Sequence, residues 1–423
     1  MEGAALILVF LVMSAIGVPL AYAMGVSTLA AMVWLDIPLT ALFSRSFAGI
    51  DAFSLLAIPF FIFVGELLTG GGMSQRIIDF ANSLIGWVKG GLGLVNVGGS
   101  VLFAGVSGSS AADTAAIGGV MIPAMKKAGY EPGFSAAVTA SSATIGSLIP
   151  PSVLLIIYGG ISGLSIGDLF LAGVLPGLSV GLALGVMTWW TGRKQVGAQV
   201  PFSLANVWRT ARRSILAGVL PALLVYGILE GLFTATEGGV VAVVYALVVG
   251  KLVYRELTWG MVGRMAIRTG ELTGVLLLLL FVATSFAWVL AFVGLPRLVV
   301  DTLVGLTDNP QIILLIVIGF LLVFGMFVET VAAATIITPV LLPLGPELGL
   351  DPLHLGMIII TALLVGTVTP PVGILLYICA GLAEVGTGKA VRAVMPFLAV
   401  LALVVVVVAF VPQLTVWLPS LAL

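Results

Sequence analysis

Charge is what this chain has least of. Asp, Glu, Lys and Arg make up 8% of its 423 residues, where a soluble domain carries about 25%. That scarcity excludes a soluble domain anywhere in the chain. The longest polar stretch, 193–213, reads as a loop. The formal net charge of −1 offers no basic surface for nucleic acid. A single cysteine, Cys379, excludes internal disulfides and leaves the redox compartment unread. A single histidine, His354, excludes a His-rich metal motif, and no paired catalytic aspartates appear. What fills the space is apolar: 61% of residues, in runs long enough to cross about 30 Å of hydrocarbon. Near the start, Ala21-Tyr22-Ala23 resembles a signal-peptidase site. The segment before it lacks a positive charge, and the apolar run continues to Trp34, so we read a retained membrane helix.

Against this apolar background the helix breakers repeat. Residues 105–176 overlie 325–396 without a gap. Gly105 falls on Gly325, Pro123 on Pro343, Gly129 on Gly349 and Glu131-Pro132 on Asp351-Pro352. Gly146 falls on Gly366, Pro150-Pro151 on Pro370-Pro371 and Pro176 on Pro396. Identities between the breakers are few. Paired backbone breaks in two halves of a membrane protein mark a transporter built from structural repeats.

The expected fold is an all-α polytopic membrane protein of two inverted repeats. Crossings are expected at about 5–22, 24–35, 50–71, 133–163 and 169–192, then 214–233, 236–254, 271–293, 353–382 and 393–417. The stretches 91–125 and 311–344 are apolar but interrupted in the middle, and we read each as a re-entrant hairpin. The first repeat is then 1–192, a basic cytoplasmic loop follows at 193–213, and the second repeat is 214–423. Five crossings per half invert the second half relative to the first. Charge tests this independently. With 72–90, 126–131, 193–213, 251–270 and 384–392 on one side, every Lys and Arg except Arg45 and Arg297 falls there. The positive-inside rule makes that side cytoplasmic and puts both termini outside. The thirty residues 5–34 must then make two short crossings around Gly17-Val18-Pro19.

The chemistry sits in the interruptions. Ser107-Gly108-Ser109-Ser110 breaks the first hairpin at mid-membrane, where bare backbone must be buried in protein or line a wet cavity. Gly relaxes the backbone, and Ser supplies hydroxyls for an anion or a cation. Asp113 is placed to cap the returning helix. Taken alone, the small residues also fit simple helix packing; facing a second broken element, they fit a site better. That element is Thr144 to Ser152, where Pro150-Pro151 removes amide donors and leaves carbonyls of the preceding turn free to face a cation. Val365 to Pro371 repeats it. Half-helix C-termini suit Na⁺, and N-termini suit an anionic substrate.

At the second tip Glu329-Thr330 replaces the Ser-rich loop. Three roles are open to Glu329: cation ligand, helix cap or proton carrier. His354 reads as interfacial, Glu230 and Glu237 as solvated in an external turn, and Tyr158 and Trp288 as packing residues. No Arg or Lys lies inside the hairpins or broken helices. A bound acid would therefore rest on backbone amides, hydroxyls and cations rather than a guanidinium.

Gly105-Val106-Ser107-Gly108-Ser109-Ser110-Ala111-Ala112-Asp113, Ile149-Pro150-Pro151-Ser152, Gly325-Met326-Phe327 and Thr369-Pro370-Pro371-Val372-Gly373 together resemble the large membrane subunit of tripartite ATP-independent periplasmic (TRAP) transporters, over essentially the whole chain. The resemblance implies Na⁺-coupled import of a small organic anion by an elevator mechanism in a bacterial or archaeal inner membrane. It also implies two partners, a small four-helix membrane subunit and a periplasmic binding protein. Met1 begins directly in the large subunit's pattern, so the small subunit is expected as a separate chain. Carried over by residue, one Na⁺ site takes Ser107, Ser110, Gly146, Ile149 and Pro151, and its mate takes Gly325, Thr330, Gly366, Thr369 and Pro371. Substrate is expected at Ser107, Gly108, Ser109, Ser110, Asp113, Glu329 and Thr330. The chain departs from the family pattern at Glu329-Thr330, where Asp-Pro is common, and at Ser147, where Pro is frequent. Two other readings compete: a stand-alone Na⁺/H⁺ antiporter or dicarboxylate carrier of related two-hairpin build, and an intramembrane enzyme. The enzyme lacks a convergent acid, base and nucleophile.

Overall fold

The computed structural model describes residues 2–193, 195 and 201–422, and all its regular structure is helical. The first stretch holds α1 (Glu2–Ala15), α2 (Leu20–Trp34), α3 (Thr40–Ile50), α4 (Ala57–Gly70) and α5 (Met73–Ile85). A hairpin follows, α6 (Gly91–Ser107) and α7 (Ser110–Lys127). A broken helix comes next, α8 (Pro132–Ala143) and α9 (Val153–Ser162), and then α10 (Ile166–Gly192). The second half holds α11 (Leu204–Leu229), α12 (Ala235–Val248), α13 (Trp259–Phe292) and α14 (Leu295–Leu306). The second hairpin is α15 (Pro310–Phe327) with α16 (Thr330–Leu341), and a short α17 (Leu344–Glu347) follows it. The second broken helix is α18 (Pro352–Gly366) with α19 (Ile374–Ala383), followed by α20 (Thr387–Phe410) and α21 (Gln413–Ala422).

The breakers act where they stand. Ser107 and Phe327 each end a hairpin's first arm, and Ser110 and Thr330 each start its second; both pairs lie 220 residues apart. Pro132 and Pro352, the first residues of α8 and α18, keep the same interval. A proline at the first helical position costs no hydrogen bond. Both Pro150-Pro151 and Pro370-Pro371 are cis peptides. Among the described residues, six helices are long and apolar enough to cross a membrane: α10, α11, α12 with its π-helical extension to Val253, α13, α15 and α20. The broken helices lie inside. Every residue of α8 from Gly133 on, and of α18 from His354 on, is buried. Many of the longer helices turn Leu, Val, Ile, Phe and Trp outward, as a lipid-facing surface requires.

Several boundaries differ from expectation. Residues 204–213, expected in a loop, form the first turns of α11, because Ser203 accepts the Asn206 amide and starts the helix there. Expected loop 251–270 shrinks in the same way: the Thr258 hydroxyl caps α13, which runs for 34 residues. The expected loop 384–392 gives way to α20 from Thr387. The expected crossing 393–417 is interrupted at Val411-Pro412, where α20 stops and α21 begins. Helices α3, α5 and α14 were not expected at all. Helix α5 follows α4 through a 66° bend at Gly71-Gly72, where Gly72 has φ +72°. Its Ile77, Ile78 and Ala81 are buried, while Arg76 reaches Glu256 at 2.6 Å and lies over the Tyr254 ring. The start of the chain is two helices, α1 and α2, broken at 16–19 and packed together. At 14 and 15 residues they are short for a full crossing. His354, expected at the interface, is buried. Its ring ties α18 to Thr415 Oγ1 at 2.8 Å and to the Ala409 carbonyl at 3.1 Å.

Candidate transport site

The first hairpin turns on glycine. Gly108 has φ +61°, and Ser109 is extended at the N-cap of α7 but makes no capping bond with its side chain. The orphan amides at the start of α7 need partners, and one comes from the broken helix: Ser147 Oγ accepts from both the amide and the hydroxyl of Ser110, each at 2.9 Å. The Gly108 carbonyl accepts from Val153 N at 3.1 Å. The fit is tight: a Cβ on Gly108 would stand 2.6 Å from the Pro151 carbonyl, and one on Gly146 would stand 3.2 Å from that of Ser109. Gly108, Ser109, Ser110, Gly146 and Pro151 thus meet, with Ser107 at the end of α6. Ile149 is turned away, its side chain against Gly177 of α10.

Not all the expected carbonyls are free. That of Ile145 accepts from Leu148 N at 3.0 Å and Ile149 N at 3.1 Å, and that of Ser147 from Ser152 Oγ at 2.7 Å. The unsatisfied groups are elsewhere. Among the described residues, Ser107 Oγ and both carboxylate oxygens of Asp113 are buried without a hydrogen-bond partner, Ser100 being the polar side chain beside the Asp113 carboxylate and donating to Ser142 instead. Asp113 therefore does not cap α7 as the sequence suggested. Its carboxylate takes no hydrogen bond from those amides, and its Cβ packs near Gly146. A buried carboxylate without a partner, beside a broken helix, is a group whose charge a small hard cation suits.

The second tip solves the same problem locally. Glu329 sits at the N-cap of α16, where its Oε2 accepts from Val331 N at 2.9 Å and Ala332 N at 3.2 Å. Thr330 is buried beside it. Gly325 and Gly366 let α15 and α18 touch: a Cβ on Gly366 would come within 2.6 Å of the Gly325 backbone. Thr369 N donates to the Gly366 carbonyl at 2.9 Å, and Thr369 Oγ1 to that of Val365 at 2.8 Å. The Pro371 carbonyl accepts the Tyr377 hydroxyl at 2.7 Å. Gly325, Gly366 and Thr369 are brought together, with no orphaned side-chain oxygen among them.

Both tips open on one cavity of about 490 Å³, lined by Ser107 to Ser110, Ser147, Glu329 to Val331 and Thr367. Residues of α4 and α13 complete its lining. There Glu66 Oε1 lies 3.4 Å from Arg268 Nε. Sequence reasoning missed Arg268 by ending the loop at 270. The Thr258 cap, and the shared face of Arg264 and Arg268 four residues apart, were the available signals.

A cavity between two hairpin tips, inside an all-helical membrane protein, defines the class as a solute transporter. The same fold occurs in the Alcanivorax borkumensis YdaH transporter, with a TM-score of 0.65 over 98% of each chain at 15% identity. Sequence then fixes the family. The profile described as "Tripartite ATP-independent periplasmic transporter, DctM component" matches residues 7–414. The Escherichia coli K12 2,3-diketo-L-gulonate TRAP transporter large permease protein YiaN is 38% identical, covering 95% of both chains. The Vibrio cholerae sialic acid TRAP transporter large permease protein SiaM is 39% identical, covering 89% of this chain and 88% of its own. The chain belongs to the large permease family of TRAP transporters. Its relatives are transporter permeases, not enzymes.

Proposed function

We propose that this permease imports a small organic acid across a bacterial inner membrane, driven by Na⁺, by an elevator motion. In this reading the two hairpins and two broken helices carry the cargo past a scaffold that includes α4 and α13. A periplasmic binding protein delivers the cargo, and a small membrane subunit completes the complex. Residues 1–192 and 214–423 act as inverted repeats. Relatives named for 2,3-diketo-L-gulonate and sialic acid support an organic acid as cargo.

The observation that carries the reading is the meeting of Ser107 to Ser110 with Gly146 and Pro151 beside the unpartnered Asp113 and Ser107. Two carboxylate oxygens and a hydroxyl cannot stay buried and unpaired without cost. A Na⁺ beside the Asp113 carboxylate would offset that cost. At the second tip the cation would rest on backbone carbonyls around Gly325, Gly366 and Thr369. Glu329 keeps α16 capped, which leaves proton carriage the weaker of its roles.

The test is the thermal midpoint of the purified protein in NaCl against KCl at matched ionic strength. A cation bound only by the native state contributes about 2.7 kcal/mol at a hundred times its Kd. A saturable rise specific to Na⁺ is expected. Identical midpoints in the two salts would remove Na⁺ coupling at these sites.

A further inference from the structure

The Glu66–Arg268 pair stands where neither an elevator nor a cation site requires a charge. It joins α4 to α13, in the lining of the cavity that both hairpin tips share. Arg268 is the one basic side chain lining the cavity among the described residues. Its side chain is 66% exposed, whereas that of Glu66 is 24% exposed. A pair built for stability would be held closer and covered more fully; this one is 3.4 Å apart, and its cationic half is open.

The charges in the cavity sharpen the point. Besides Arg268, the lining holds two carboxylates, Glu66 and Glu329. Without Arg268 the only charged side chains lining the walls would be carboxylates, which disfavour an anion there. Glu329 is committed to the amides of α16. Glu66 is therefore the partner that a visiting anion can replace.

We propose that Arg268 is an anion-receiving residue on the scaffold, held in wait by Glu66, and that a cargo carboxylate leaving the hairpin tips exchanges with Glu66 on its guanidinium. Planar carboxylate matches the guanidinium fork that Glu66 uses incompletely. Arg268 lies near the basic end of α13, with Arg264 one turn before it and Arg255 beyond the helix start. Under the charge reading of topology that end is cytoplasmic, and Arg268 stands on the release route. The proposal rests on the cavity being the cargo path.

The experiment needs no knowledge of the cargo. Leu272 lines the cavity one turn from Arg268, and Cys379, the only native cysteine, is buried, so the unmodified protein is the unlabelled control. The purified Leu272→Cys protein is reacted with 2-sulfonatoethyl methanethiosulfonate and, separately, with its cationic trimethylammonioethyl counterpart. The ratio of anionic to cationic labelling rates is the readout. Adding Arg268→Gln is expected to lower the ratio about tenfold, Arg268→Lys to hold it within about twofold, and Glu66→Gln to raise it. A merely structural role predicts that both rates move together and the ratio stays. A ratio unchanged by Arg268→Gln, with labelling intact, would overturn the proposal and leave the cavity as cargo path. Absence of labelling by both reagents would close the cavity to water and overturn both.

Discussion

At the scale of single residues, two acids divide the work. Glu329 and Asp113 both follow a hairpin tip, and the sequence offered a capping role to each. Glu329 takes it. Asp113 does not, because the tip before it is already stitched to Ser147, which lies 37 residues downstream from Ser110. That partner is invisible to any local pattern. The buried, unpaired carboxylate is the more telling of the two. Replacing it by the neutral amide removes the cost of burying a charge and, on the proposed reading, removes a charged ligand of the cation together. Asp113→Asn is expected to melt higher than the wild type in KCl and to lose most of the Na⁺-dependent rise, as thermal scans in the two salts would read. An unchanged Na⁺ response would take Asp113 out of the cation site.

At the scale of elements, the breaks were legible and the helix lengths were not. Gly and Pro mark an interruption by removing a Cβ or an amide, and those losses are written in the sequence; helices end and restart at 107–110, 143–153, 327–330 and 366–374, where the breakers stand. Amphipathic helices leave a weaker mark. In α5 the polar face reads as loop until Arg76 is seen to reach Glu256 across the fold. The same blindness hid the first turns of α13, and with them Arg268. The close approaches carry a prediction. Gly366→Ala puts a Cβ within 2.6 Å of Gly325 backbone, so α15 and α18 must separate. The expected loss is about 1–3 kcal/mol of stability, read as a lower melting midpoint, with weakened Na⁺ stabilisation. A variant as stable and as Na⁺-responsive as the wild type would show that this crossing yields freely and carries no ion ligands.

At the scale of the whole molecule, coupling decides how far cargo can be concentrated. A membrane potential of 100 mV is worth about 2.3 kcal/mol for each charge moved. One Na⁺ with a monoanion moves no net charge, whereas two make import electrogenic. With a cation site at each tip we expect net inward positive charge. Uptake into vesicles holding the complete complex should then quicken when the interior is made negative, and uptake indifferent to an imposed potential would argue for one cation per monoanion. The two tips also differ in how they come into being. The second is finished as soon as it is made, since Glu329 binds amides two and three residues ahead. The first waits for Ser147 and Val153, which leave the ribosome some forty residues later, a delay of roughly 2–8 s at ordinary elongation rates. Through that interval the Ser110 amide and the Gly108 carbonyl are without the partners the folded protein gives them, whereas the cap of the second tip comes from within its own hairpin.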